Sequence, residues 1–465
     1  MDELAKLLPQ DQYAVFFPSF GHFAQGMAIL SEGGRFAQGI EKVSKHGLFA
    51  RWEAMLSEGR RFVKRSANKQ ASAGKQDIVS RLLRRYQSQL CFDVVEFSKS
   101  AASKKIRGVA MTGGDVDFVE GTDITLLFQT SDPKGVSDAL RCFPRDRGVT
   151  KVEGEIEDLA YTGMASEHRE ISSFIMVMGN VVALSNSVAA LRRVAHARYE
   201  PKESLAALDQ YKFFRMRYPY DSGERVFLLM GDEALRLLGS PHIRVLRWRR
   251  AQVREQLRQQ TALRLAMLSQ GKHPARRLSV VPKIPDGGGL WMDSERIFSE
   301  YYGSLGFMTP LRELAIMQIT PAEKKDYEAW RGQYESKRQS FFDPIAMRIS
   351  ERDRRLRIEL SVVPLMRASV LRRWFEPTGD SRLGGGTKTS TPATSRPITN
   401  TSAFVASRPT TKNVTPTAKH EKHSFQKTDG LGAWGAFRVV EWGVVFEEDG
   451  LSARVVLQSP KASAR

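Results

Sequence analysis

The sequence predicts an α+β protein: an antiparallel sheet built from repeated hairpin-plus-helix units, then a basic helical middle and a second β-rich segment. Three observations predict it. A strand, strand, helix pattern is written twice, around residues 106–143 and again around 159–196. Alternating apolar residues return at 345–360 and at 437–457, each time on both sides of a polar turn. A long arginine-rich helical pattern lies between the two kinds of segment.

Residues 1 to about 58 read as a strand at 13–17 (YAVFF) followed by helical segments, and the basic, small and polar run 59–74 reads as a loop. A helix is predicted over 76–98, with Ile78, Leu82, Tyr86 and Leu90 facing the core at i+4 spacing. In the first unit, the β-branched and apolar run 124–128 (ITLLF) leads into Ser131, Asp132 and Pro133. Asp132 suits a helix N-cap and Pro133 its first position. Val136, Ala139, Leu140 and Phe143 then form one apolar stripe. In the second unit, strands 174–178 (FIMVM) and 181–184 (VVAL) are separated by Gly179-Asn180, a tight hairpin turn. Ser185, Asn186 and Ser187 supply capping oxygens, and Val188, Leu191, Val194 and Ala195 make the buried stripe of the next helix.

A strand at 226–230 and a short helix through Leu238 precede the long helix predicted over 241–271. Along it, Arg244, Arg247, Arg249, Arg250, Arg254, Arg258 and Arg264 are accompanied by a single acid, Glu255. Leu246, Val253, Leu257 and Leu268 allow it to pack on the body with its arginines outward. Glycines at 287–289 break the chain before a mixed segment with Trp291, Tyr301, Tyr302 and Trp330. Ile345, Met347 and Ile349 alternate into a polar turn at 350–355 and out through Leu356, Ile358 and Leu360. The pattern recurs with strand 437–446, turn 447–450, then Leu451, Ala453, Val455 and Leu457. The Thr-, Ser- and Pro-rich stretch 384–427 buries too little to offset its ordering entropy and is predicted to be disordered.

The predicted domains are therefore 1–240 (repeated units), 241–335 (basic helical), 336–380 (hairpin), 381–428 (disordered linker) and 429–465. The last, two strands alone, reads as a fragment of a further domain.

Several residues carry a resemblance. Leu8-Pro9-Gln10-Asp11 precedes the first strand; Val182-Ala183-Leu184-Ser185-Asn186-Ser187 leads to Ala189-Ala190-Leu191-Arg192; Ser204-Leu205-Ala206, Phe213-Phe214 and the strand 226–230 follow. In this order the chain resembles a bacterial domain-of-unknown-function family over roughly residues 6–235, and more weakly over 340–375. The resemblance implies a fold, names no catalytic residue, and implies an exported or envelope-associated protein. Residues 1–10 carry acids at positions 2 and 3 and no apolar run of signal-peptide length, so the chain as it stands reads as cytoplasmic.

With 465 residues, 41% of them hydrophobic, the chain can build substantial cores. Its longest apolar run, 174–184, falls short of the roughly 20 residues that span a bilayer, so no transmembrane segment is predicted. Two cysteines, Cys91 and Cys142, exclude a disulfide framework and a cysteine metal site; with Leu90, Phe92, Leu140 and Phe143 around them they read first as buried thiols, the alternative being one bridge between them in an oxidising compartment. The net charge of +19 favours encounter with any polyanion without saying which.

The candidate motifs are mostly counterfeit. Residues 430–435 spell a dinucleotide-type glycine pattern but precede a strand instead of a helix, and 384–390 lacks the glycine a phosphate loop needs before Lys388. Asp115, Asp117, Glu120 and Asp123 resemble the start of a calcium loop, but Val119 and Leu126 occupy ligand positions; a solvated turn is expected. Glu153, Glu155, Glu157 and Asp158 read as a solvated strand edge. The eight histidines, His420 and His423 included, show no metal-ligand spacing. The run 211–220 interleaves aromatics with Lys212, Arg215 and Arg217, where Phe214 and Tyr218 are expected in the core.

No catalytic, cofactor-binding or metal residue is predicted. The first reading is a non-enzymatic binding or scaffold protein of unknown ligand. The alternative is a nucleic-acid or other polyanion binder using Arg244, Arg247, Arg250, Arg254, Arg258, Lys212 and Arg215. A hydrolase built from distant carboxylates comes third.

Overall fold

The computed structural model describes residues 2–32, 71–141, 148–221, 223–271, 289–292, 296–337, 343–352, 355–363, 438–447 and 450–458. All of these belong to one unit, Met1–Phe375 with Ala433–Arg465. The predicted linker at 381–428, the glycine patterns at 384–390 and 430–435, His420, His423, Cys142 and Phe143 lie outside the described residues.

The fold is α+β. Its strands are β1 (Tyr13–Phe17), β2 (Ile106–Gly113), β3 (Thr125–Thr130), β4 (Val149–Ile156), β5 (Leu159–Ser166), β6 (Ser172–Met178), β7 (Val181–Ser185) and β8 (Glu224–Met230). Three short strands, β9 (Leu290–Met292), β10 (Ile297–Ser299) and β11 (Gly303–Ser304), form a small separate sheet. Then come β12 (Ile345–Arg352), β13 (Arg355–Val362), β14 (Arg438–Glu447) and β15 (Gly450–Gln458). Twelve strands join one antiparallel sheet in the order β14-β15-β13-β12-β8-β1-β2-β3-β7-β6-β5-β4.

The helices are α1 (Asp2–Ala5), α2 (Phe20–Glu32), α3 (Ala71–Gln89), α4 (Val94–Ser98), α5 (Pro133–Leu140), α6 (Val188–Tyr199), α7 (Asp209–Arg217), α8 (Asp232–Leu238), α9 (Pro241–Ser269) and α10 (Pro321–Lys337). They cover both faces of the sheet. Leu4, Leu191, Val194, Tyr211 and Phe214 pack on one face against Ala14, Phe16, Leu127 and Ala183. Phe20, Phe23, Tyr86, Val136, Leu140 and Leu235 pack on the other against Val15, Leu126, Phe128 and Leu184. Strands such as β1 are consequently buried throughout, which is why YAVFF reads as a continuous apolar run instead of alternating.

The span 159–196 holds three strands (β5, β6 and β7) before its helix where two were expected, and the two units meet through the last strand of each, β3 on β7, with Phe128 opposite Val182. Their caps form as the residues dictate. Asp132 accepts from Gly135 N at 2.9 Å, and Ser187 accepts from Ala190 N at 3.1 Å. Gly179, at φ 61°, supplies the left-handed turn between Met178 and Val181. The helices of the two units nevertheless lie on opposite faces of the sheet, α5 with Phe128 and α6 with Leu127.

Several expectations are corrected. The hairpins at 336–380 and 429–465 are not separate pieces: β12 pairs with β8 (Met347 opposite Leu228), and β15 pairs with β13 (Ile358 opposite Val455). Each hairpin offers a free edge, and the existing sheet satisfies it. The helix predicted over 76–98 starts earlier, with 71–74 inside it, and ends at Gln89. Cys91, at φ 50°, closes it with Cys91 N to Ser88 O at 3.1 Å and Phe92 N to Gln87 O at 2.8 Å, a left-handed cap, before Asp93 caps α4. Cys91 is disulfide-bonded, so of the two readings of the cysteines the bridged one holds and the free-thiol one does not. In α5, Ser137 and not Ala139 completes the buried stripe, and in α9 Leu268 is 41% exposed, so the buried stripe there stops at Leu257.

Candidate functional site

Ser240 caps α9, accepting from Ile243 N at 3.3 Å, and Pro241 occupies its first turn. Ile243, Leu246, Val253 and Leu257 anchor the helix against Leu290, Ile297, Tyr302 and Leu311. This orientation carries the next residues around the helix onto the loop between β2 and β3, which holds Asp115, Asp117, Glu120 and Asp123.

The arginines predicted to face outward there face inward. Arg247 Nε and Arg250 Nη2 each donate to Asp117 Oδ2 at 2.8 Å, and Arg250 Nη1 donates to Gly121 O at 2.9 Å. Glu120 takes Arg250 Nε at 3.5 Å and pairs with Arg254. Arg249 leaves the other side of the helix for Glu323, with Nε to Oε1 at 2.6 Å and Nη2 to Oε2 at 2.9 Å. Glu323 also closes a capping box with Thr320 at the start of α10. Arg249 and Arg250 are both fully buried.

The acidic cluster is likewise no solvated turn: Asp115 and Asp123 are buried, and Asp123 pairs with Arg193 from α6. Burial pushes the Asp115 carboxyl up to about 6; Arg250 pulls it down, while Asp117 and Asp123 push it further up. The loop backbone is fastened from below. Tyr86 Oη donates to Phe118 O at 3.0 Å and accepts from Thr122 N at 3.1 Å. Asn186, which in sequence reads as one of three caps, accepts from Ile124 N at 2.8 Å and donates to Thr122 O at 2.9 Å and Gln89 Oε1 at 2.8 Å.

The remaining candidate polyanion contacts scatter. Arg215 Nη1 grips Glu224 at 3.1 and 3.0 Å and lies 3.8 Å over the Phe227 ring. Arg244 lies 4.1 Å over Trp330. Lys212 is exposed beside Asp209, and Arg258 is exposed on α9. Tyr211, Phe214 and Tyr218 are buried, while Met216 and Tyr220 are exposed.

A different feature concentrates positive charge at a concave surface. A cleft of about 460 Å³ opens where α3, the β5–β6 turn, the second half of α9 and the loop after β11 meet. Arg85, Arg169, Arg264 and Arg296 line it, with Ile297 and Phe307 among its apolar residues. Arg169 sits in the left-handed region at φ 63°. It is held there by Glu313 (Nη1 to Oε2 2.7 Å, Nη2 to Oε1 3.0 Å), by Asn186 O at 3.0 Å, and by Gln89 Nε2 donating to its carbonyl at 2.8 Å. Arg85 is pinned by the carbonyls of Phe118 (2.6 Å), Val119 (3.1 Å) and Gly306 (3.2 Å). Glu170 accepts from Ser166 Oγ at 2.9 Å and pairs with Arg296. These arginines come from four distant parts of the chain, so no local motif announces them.

Among the described residues, no group of histidine, cysteine, aspartate and glutamate is placed to hold a metal ion, and no helix is long and apolar enough to cross a membrane. No family model matches the chain, and no curated protein matches it. Among solved structures, a crystal form of TP0453 aligns over 78% of this chain and 79% of that one at 10% identity, with a TM-score of 0.25, too low to establish a shared fold.

Proposed function

We propose that the chain is a non-enzymatic binding protein of the cell envelope whose binding element is the arginine-lined cleft and not the arginine helix. One observation carries this reading. Arg247, Arg249, Arg250 and Arg254 are held by Asp117, Glu120 and Glu323 between α9 and its neighbours, whereas Arg85, Arg169, Arg264 and Arg296, although Glu313, Glu170 and main-chain carbonyls hold three of them, line an open concavity. Guanidinium keeps its proton throughout the working pH range, so these side chains hold an anion without passing protons. The disulfide at Cys91 suits an oxidising compartment, in line with the envelope placement that the sequence resemblance implies.

Duplex DNA and heparin binding, titrated against salt, test the choice. Each phosphate neutralised by the protein releases about one counterion, so polyanion binding falls steeply with salt. Weak binding that vanishes at physiological salt is expected, from dispersed charge alone. Tight binding that persists there, and that loses salt slope in an Arg258→Gln, Lys212→Gln variant, would replace this reading with the polyanion one.

A further inference from the structure

We propose that the free edge of β4 is a self-association surface, on which a second copy of this chain pairs β4 against β4 in antiparallel fashion. β4 ends the large sheet: among the described residues it pairs with β5 alone, and Thr150, Lys151, Glu153, Gly154 and Glu155 are exposed along it. Such an edge presents a row of backbone N–H and C=O groups that another strand can take up.

The turn after β4 decides which residues offer those groups. Glu157, at φ 57°, and Asp158 join Ile156 to Leu159 directly opposite, a two-residue hairpin turn closed by the bond between that flanking pair. Bonded and non-bonded pairs alternate along an antiparallel ladder, so Ile156, Gly154, Val152 and Thr150 bond to β5. Val149, Lys151, Glu153 and Glu155 therefore direct their backbone groups away from the sheet.

Side chains then fix the register. Val152 and Ile156 lie on the face that packs with Tyr161 on the core, while Lys151, Glu153 and Glu155 stand on the other face. With Val152 opposite Val152 of the second copy, Lys151 lies opposite Glu153 of the second copy, and Glu153 opposite Lys151 of the second copy. The edge is thus complementary to itself, as a two-fold interface requires. Lys151 Nζ already pairs with Glu153 Oε1 on its own strand at 2.7 Å; both side chains are exposed, so each keeps that partner and gains another across the interface. Moving the centre by one residue sets Lys151 against Lys151 or Glu153 against Glu153, and like charges directly opposed destabilise a strand pair. The same charges block slipped pairing and admit the centred one. A single short strand buries little surface, so the dimer is a weak, concentration-dependent one.

Sedimentation equilibrium of the full chain over a series of concentrations tests this. The wild type should pass reversibly from monomer to dimer and stop there. Lys151→Glu and Glu153→Lys should each weaken the dimer by about tenfold, because symmetry turns two favourable pairs into like-charge pairs. Mixed in equal amounts, the two variants should recover wild-type association, since every opposed pair then carries opposite charges; misfolding cannot produce that recovery. Glu155→Lys, opposite Val149, should weaken the dimer far less than Glu153→Lys. Glu153→Pro removes an outward N–H and no bond to β5, and should abolish association while thermal unfolding of the monomer shows it folded. A wild type that stays monomeric, a dimer that ignores these substitutions, a mixture that stays monomeric, or growth beyond the dimer would each overturn the proposal.

Discussion

Replacing Arg250 by methionine tests whether the arginine helix is a structural clamp. The side chain is fully buried, so its guanidinium has no water to fall back on. The substitution removes the donors to Gly121 O at 2.9 Å and Asp117 Oδ2 at 2.8 Å, and the contact to Glu120 at 3.5 Å. Methionine fills most of the space with a flexible apolar chain, which limits the cavity contribution. The main cost is electrostatic: breaking a buried pair typically costs 3–5 kcal/mol because a carboxylate is stranded. Here Asp117 keeps Arg247 and Glu120 keeps Arg254, so neither acid is stranded. The expected loss is therefore at the lower end, about 3 kcal/mol, with the unpaired Gly121 carbonyl as one part of it. Arg258→Met, on the exposed face of the same helix, should change stability by less than about 0.5 kcal/mol. Urea unfolding followed by tryptophan fluorescence measures both. If the two variants unfold with the same stability, the guanidinium of Arg250 does not clamp the acidic loop and the account of the helix fails.

Other outcomes are equally checkable. Leu191→Ala and Leu140→Ala should each cost about 2–5 kcal/mol, and, since they lie on opposite faces of the sheet, their losses should add; Arg192→Ala, exposed, should cost less than about 0.5 kcal/mol. A shortfall at either leucine in denaturant titration would mean that its helix packs elsewhere. The raised carboxyl of Asp115 sets a pH dependence: folding favours its protonated form, so this contribution is fully present below the ordinary aspartate range and is lost as pH rises through about 6. Asp115→Asn should flatten the fall in stability between about pH 4 and 7 and stabilise the protein at neutral pH, as urea midpoints across that range would show. An unchanged profile in the variant would place the titration elsewhere.

The helix caps at Asp132 and Ser187, the Gly179-Asn180 turn and the terminal hairpins were legible in the sequence. Each depends on residues within a turn or two of one another, and the physics of capping, φ preference and alternation acts over that range. The same locality misled elsewhere. Asp117 and Arg250 each resemble a solvated charge among its neighbours, and nothing near either one indicates that a β2–β3 loop will meet a helix more than a hundred residues later. The strands at 345–362 and 450–458 were readable, but not the sheet they join, because edge hydrogen bonds use backbone groups that every strand carries alike. Asn186 looked like a cap because its side chain is the right chemistry for one. Only its burial between Gln89, Thr122 and Ile124 turned it into a tie between segments. The chain by itself therefore determined those local elements, though not every end: the helix expected over 76–98 stops at Gln89 and a second one begins at Val94. Tertiary structure decided the faces on which the helices of the repeated units lie, the partners of its charges, and the cleft. Those depend on which distant segments come together, and there desolvation makes an unpaired charge costly enough to select its partner.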